Sequence, residues 1–282
     1  MAVPYLDTPT KSVKGSNDID YAYREAGESA VPVVLFQHFR GNLDSWDPAL
    51  IDDLSARRRV ITFDNSGVGA TTGTTPHTIE EMAADALVFF DALGLDQVDL
   101  LGFSIGSFVA QEVVLTRPDA VRKVVLASSA PKGAAGMHGW ARDVISAVGQ
   151  PAPNPQGYLE VFFTGSSQSK EAGAQTLKRT FARQEGRDQP TTWQTRLAQY
   201  DAVCAWGIPN HSLLERVGSI DHPVFVANGD SDPMILPKYS HLLAGLLPDA
   251  RIEIYPDSAH GFLFQHHAGF ASDVDLFLAG SN

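Results

Sequence analysis

Across 282 residues there is one cysteine, Cys204, so no disulfide can form within the chain, which fits a reducing compartment. Basic side chains are scarce: 21 Lys and Arg stand against 33 Asp and Glu, a formal charge of -12. An acidic surface is repelled by nucleic acid and by anionic lipid heads, so neither is an expected partner. Long apolar runs are missing as well. The stretch Val31–Phe36 is among the longest, far below the roughly 18 residues that a membrane span needs. Met1–Ser12 has no basic start leading into an apolar core, which argues against a signal peptide. These absences lead to the expectation of a cytoplasmic protein that is not bound to membranes. With 44% hydrophobic and 19% charged residues, the composition is that of a globular fold rather than a disordered or fibrous chain.

Short apolar segments recur at Val31–Gln37, Val60–Phe63, Val98–Phe103, Val121–Ala127, Pro223–Ala227 and Arg251–Tyr255. Several are apolar at nearly every position, as in strands buried on both faces of a parallel sheet. Lys11–Val13 and Ile19–Glu25 suit an antiparallel hairpin at a sheet edge. Helical patterns fall between these segments, at Thr78–Leu93, Ser107–Leu115, Pro237–Leu247 and His267–Leu278. Thr78-Ile79-Glu80-Glu81 opens the first of them as a capping box, and Gly94 follows as its terminator. The alternation predicts an α/β fold with a mostly parallel, doubly wound sheet. Pro131 to about Ser219 breaks the rhythm with Gly, Pro, three of the four tryptophans and no clear strand. It reads as a helical insertion, residues 131–219, over a core made of residues 1–130 and 220–282. A cap above the carboxyl ends of the strands is the expected role, because open α/β sheets bind ligands there.

Gly102-Phe103-Ser104-Ile105-Gly106 follows an apolar strand directly and runs into a helix. Gly-x-Ser-x-Gly at that junction is a nucleophile elbow, a tight turn that exposes a serine at a helix N-terminus. A serine needs a base, and the base needs an orienting acid. The expected chain order is Ser, acid, His, with both partners after late strands. Asp232 lies in Asn228-Gly229-Asp230-Ser231-Asp232-Pro233, and His260 in Pro256-Asp257-Ser258-Ala259-His260. His260 is therefore the expected base among nine histidines, and Asp232 the expected orienter. Asp230 and Asp257 are the alternative acids; Asp257 is too near His260 in sequence, and Asp230 suits a turn-holding role.

On the elbow and on the segments Gly229-Asp230-Ser231-Asp232 and Ala259-His260-Gly261, the chain resembles the α/β-hydrolase superfamily over nearly its whole length. It is most similar to the branch of small esterases, enol-lactonases and cofactor-free haloperoxidases. The resemblance implies an eight-stranded sheet, a helical cap after the sixth strand and no cofactor. One departure stands out. Aligned on Gly41, Gln37 replaces the usual His and His38 the usual Gly in Phe36-Gln37-His38-Phe39-Arg40-Gly41. The resemblance then gives the oxyanion hole to the N–H groups of Phe39 and Ile105. Phe63-Asp64-Asn65-Ser66-Gly67-Val68-Gly69 lacks the third Gly of a dinucleotide loop, and no zinc-type ligand motif occurs, so no metal is expected.

The expected activity is hydrolysis of small apolar or aromatic esters or lactones through an acyl-enzyme. Perhydrolysis and carbon–carbon bond hydrolysis use the same triad, and a non-catalytic ligand receptor on this scaffold is the rival from another class. Trp140, Val144, Val148, Phe162 and Trp206 of the insertion are the candidate substrate-binding residues. The sequence leaves the oligomeric state undetermined.

Overall fold

The computed structural model describes residues 3–152 and 154–280. Eight strands form one sheet: β1 (Lys11–Lys14), β2 (Asp20–Ala26), β3 (Val33–Phe36), β4 (Val60–Phe63), β5 (Val98–Phe103), β6 (Val121–Ala127), β7 (Val224–Gly229) and β8 (Ala250–Tyr255). Their spatial order is β1-β2-β4-β3-β5-β6-β7-β8. The β1–β2 and β2–β4 pairs are antiparallel, and the remaining neighbours are parallel. The order reverses at β3, which lies between β4 and β5, so a crevice opens at the carboxyl ends of β3 and β5.

The central strands β3, β4, β5 and β7 are buried at every residue, which accounts for their largely apolar sequence. The helix Ile79–Leu93 starts as its sequence dictates: Thr78 Oγ1 accepts the Glu81 N–H and donates to Glu81 Oε2. Gly94 ends it at φ 64°, in the left-handed region. Two boundaries differ usefully from the sequence pattern. The helix expected from Ser107 already begins at Ile105, directly after the elbow serine. Strand β7 continues two residues past Ala227, because Asn228 and Gly229 stay in register with Ile254 and Tyr255 of β8. That extension carries the following Asp-rich turn to the edge of the crevice.

Between β6 and β7, the described part of residues 131–219 holds five α-helices and no strand. They are Arg142–Val148, Pro155–Phe162, Ser167–Thr180, Trp193–Trp206 and His211–Arg216. Charged pairs tie this segment to the rest of the fold. Arg179 grips Asp47 with two bonds of 2.7 and 2.5 Å, and Arg216 grips Glu112 at 2.5 and 2.9 Å. Both acceptor side chains are buried, where bidentate, charge-assisted pairing is strongest. Among the described residues, no helix is long and apolar enough to cross a membrane.

Candidate active site

Ser104 sits at φ 57° and ψ -125°, a conformation that L side chains seldom adopt. Its N–H donates to Ala127 O of β6 at 3.0 Å, and its C=O accepts the Ser107 N–H at 2.8 Å. The flanking glycines are steric requirements. A Cβ on Gly102 would lie 2.5 Å from both Gly106 O and Ser107 Cα, and one on Gly106 would overlap the Phe36 carbonyl of β3. The strand, the turn and the helix can close on one another only without those side chains.

His260 and Asp232 arrive from the turns after β8 and β7. His260 Nδ1 donates to Asp232 Oδ2 at 2.8 Å. The other carboxylate oxygen, Oδ1, accepts the N–H groups of Met234 and Ile235 at 2.8 and 3.0 Å. The carboxylate is thus clamped, and it fixes the imidazole tautomer that leaves Nε2 as an acceptor. His260 Nε2 is buried and has no hydrogen-bond partner among the described residues. The alternative acids are engaged elsewhere. Asp230 accepts the N–H groups of Asp257 and Ser258 at 2.9 and 3.2 Å, while Asp257 accepts from the Thr164 and Ser166 hydroxyls at 2.7 and 2.6 Å.

The insertion helps to place the histidine. The N–H groups of His260 and Gly261 donate to Val161 O and Phe162 O, at 3.3 and 2.8 Å, at the end of the helix Pro155–Phe162. It also holds the loop after β3. Arg40, at φ 63°, donates its N–H to Gln199 Oε1 at 2.7 Å and its guanidinium to Gln150 O and Pro151 O at 2.6 and 3.2 Å. The Phe39 ring lies edge-on against Trp140, with centroids 4.9 Å apart. The Phe39 and Ile105 N–H groups donate to no acceptor among the described residues.

A cavity of about 390 Å³ opens onto this region, and His38, Phe39 and His260 line it. Ser104, Ile105 and Asp232 are buried at 1–2% exposure and stand outside its wall. Of the five residues expected to bind substrate, Val148 and Phe162 line the cavity. Trp140, Val144 and Trp206 do not. Trp206 instead stacks on Phe108 at 4.9 Å and donates its indole N–H to Ala130 O at 3.1 Å, so it is a core residue packed on the helix Ile105–Thr116 and on the segment after β6. Trp140 backs Phe39 from behind the wall, and Val144 is buried.

Sequence reasoning overlooked Tyr158, Met234, Asn42, Ser45 and the charged wall residues Arg40, Asp44, Arg187 and Asp188. Tyr158 was within reach of it, since it stands four residues before Phe162 on one helix face and stacks on that ring at 3.9 Å. Three of the charges on the wall are engaged by partners behind it or by the backbone, as Arg40 is by Gln150 O and Pro151 O. Asp44 pairs with Arg24 at 2.7 Å, and Arg187 donates to Thr180 O and Arg183 O at 3.3 and 3.4 Å. His38 is buried, and desolvation pushes its pKa down to about 3, so the ring is neutral.

The profile for the alpha/beta hydrolase fold matches residues 31–267. An alpha/beta hydrolase fold protein from Chitinophaga pinensis superposes with a TM-score of 0.93 at 39% identity, covering 99% of this chain and 100% of that one. A putative carbamate hydrolase RutD from Azorhizobium caulinodans is 27% identical over 88% of this chain and 90% of its own length. A pimeloyl-[acyl-carrier protein] methyl ester esterase from Aliivibrio salmonicida is 26% identical over 87% of this chain and 91% of its own. The chain belongs to the α/β-hydrolase family, and its class is that of the hydrolases.

Proposed function

We propose that the protein hydrolyses small, neutral carboxylic esters or lactones through an acyl-enzyme. In this reading Ser104 is the nucleophile, His260 the general base and acid, and Asp232 the orienting carboxylate. Phe39 and Ile105 supply the oxyanion N–H groups. Residues 131–219 act as a cap over a core formed by residues 1–130 and 220–282. The observation that carries the reading is the 2.8 Å bond from His260, which lines the cavity, to a carboxylate already clamped by two backbone N–H groups; the strained backbone of Ser104 after β5 supports it.

Ser104 Oγ attacks the carbonyl carbon as its proton passes to His260 Nε2, and the carbonyl oxygen becomes an oxyanion held by the two N–H groups. Collapse breaks the bond to the leaving alkoxide, which takes the proton from His260. Water then gives a proton to His260 and attacks the acyl-enzyme; the second collapse returns that proton to Ser104 and frees the acid. The relatives' names, a methyl ester esterase in one case and a putative carbamate hydrolase in another, support acyl transfer to water as the reaction class. The committed charges on the cavity wall favour an uncharged substrate.

A fluorophosphonate that labels activated serines tests the reading, with hydrolysis of a graded panel of esters, lactones and carbamates alongside. Stoichiometric labelling of Ser104, absent from a folded Ser104→Ala variant that has also lost turnover, is the expected result. No label on Ser104, or near-native turnover in Ser104→Ala, overturns it and moves the protein to the ligand-receptor class.

A further inference from the structure

Two imidazoles line the cavity, and the reaction written above uses only one of them. His38 and His260 pack against the same pair of rings. Phe103 lies 5.4 Å from His38 and 5.0 Å from His260, and Phe162 lies 5.2 and 5.1 Å away, centroid to centroid. Their hydrogen bonding differs in kind. His260 Nδ1 faces a carboxylate, whereas His38 Nδ1 faces the backbone carbonyl of Phe39 at 2.9 Å. A carbonyl only accepts, so Nδ1 of His38 carries the hydrogen. In the neutral ring Nε2 is then a bare acceptor. It is buried and no donor among the described residues reaches it.

A buried acceptor without a donor is costly, and native folds seldom retain one without a reason. The pKa of about 3 keeps the ring from acting as a base near neutral pH, so it is not a second proton shuttle. Because His38 lines the cavity, a donor on a molecule bound there is the partner open to this nitrogen. His38 also immediately precedes Phe39, whose N–H is placed in the oxyanion hole by the proposed mechanism. A group bonded to His38 would therefore lie close to the scissile carbonyl.

We propose that His38 is a specificity-determining residue whose Nε2 accepts a hydrogen bond from an O–H or N–H on the substrate group flanking the scissile carbonyl. The preferred substrates are thus α-hydroxy esters or lactones, or N–H-bearing carbamates, rather than their alkyl counterparts. This rests on the site assignment given above for ester hydrolysis. Burying an acceptor that only the correct substrate can satisfy is an effective way to reject an isostere.

Near-isosteric pairs test it: benzyl glycolate against benzyl propionate for the O–H, and benzyl carbamate against benzyl N,N-dimethylcarbamate for the N–H. Rates are normalised to alkaline hydrolysis of each compound. The wild-type kcat/KM ratio should favour at least one donor-bearing member by ~10-fold or more. In His38→Phe that ratio should collapse to within about twofold of unity, whatever the absolute rates, and His38→Gln, which keeps an acceptor, should restore part of it. The pair that responds distinguishes O–H from N–H recognition. Equilibrium titration of the same esters into folded Ser104→Ala, with and without His38→Phe, reads the preference where no turnover occurs. A donor preference in binding without wild-type hydrolysis would sink the hydrolase reading and keep the role of His38. Ratios near unity in the wild type, by rate and by binding, or an unchanged preference in His38→Phe, would overturn the role of His38.

Discussion

At the scale of single residues, three aspartates near one histidine are told apart by what else they bind. Asp232 reaches His260, whereas Asp230 and Asp257 are occupied by backbone N–H groups and hydroxyls. Asp232→Asn should keep the fold and lower kcat by about 10⁴, because the amide favours the wrong imidazole tautomer. Asp230→Asn should leave kcat within a few-fold. Steady-state kinetics on one ester, with circular dichroism for folding, separates them; the opposite ranking would exchange their roles. Phe39 is expected to act through its N–H. Phe39→Ala retains that group and should shift substrate preference, while Phe39→Pro deletes it and should cut turnover on every substrate by about 10²–10³. Thermal melting of both variants guards against loop collapse, and equal near-native turnover would place the donor elsewhere.

At the scale of elements, the elbow depends on strand-to-helix contact that tolerates no added atom. A Cβ on Gly106 meets the Phe36 carbonyl, a backbone group at the end of β3 where Phe36 is in register with Gly102 of β5, so neither partner can yield cheaply. Gly106→Ala should cost ~3 kcal/mol or more of unfolding free energy, measured by urea titration. The insertion is anchored more softly. Removing the guanidinium in Arg179→Ala leaves the buried Asp47 carboxylate, among the described residues, with only the Ala49 N–H. Because Arg179 is itself partly exposed, the expected loss is roughly 2–3 kcal/mol, below that of a wholly buried pair. A loss under about 0.5 kcal/mol would mean that the pair is solvated.

At the scale of the whole molecule, the loop after β4 meets the insertion through two carboxyl groups. Asp64 is buried, and burial first, then the neighbouring Asp188 carboxylate, holds its pKa well above the ordinary 3.8. The folded state therefore binds a proton that the unfolded chain releases. Stability is unaffected by this group below the ordinary value, falls as pH rises from there to the folded pKa, and stays reduced above it. Asp64→Asn can still accept the Leu43 N–H that Asp64 receives at 2.9 Å, and it can donate to Asp188 without a shared proton. The variant should melt higher than the wild type at pH 7–8, with the difference vanishing near pH 3.5. A constant difference across that range would show that the effect is not protonic.

The sequence by itself determined the sheet, the elbow and the order Ser, acid, His, because these follow from local rules. Buried strands are apolar at nearly every position, a tight strand-to-helix turn demands glycine, and the carboxyl ends of successive parallel strands meet on one side. Composition could not say which apolar residues of the insertion face the cavity. Trp206 and Phe162 look alike as large apolar side chains, yet one is stacked in the core and the other on the wall. Helical spacing defines an apolar face but not the surface it meets. Only the tertiary structure decided that Arg40 and Asp44 are spent on internal partners, and that His38 keeps one nitrogen without any among the described residues. Whether a polar atom is satisfied depends on neighbours brought in from distant parts of the chain, as Gln199 and Gln150 are for Arg40, and no local pattern encodes them.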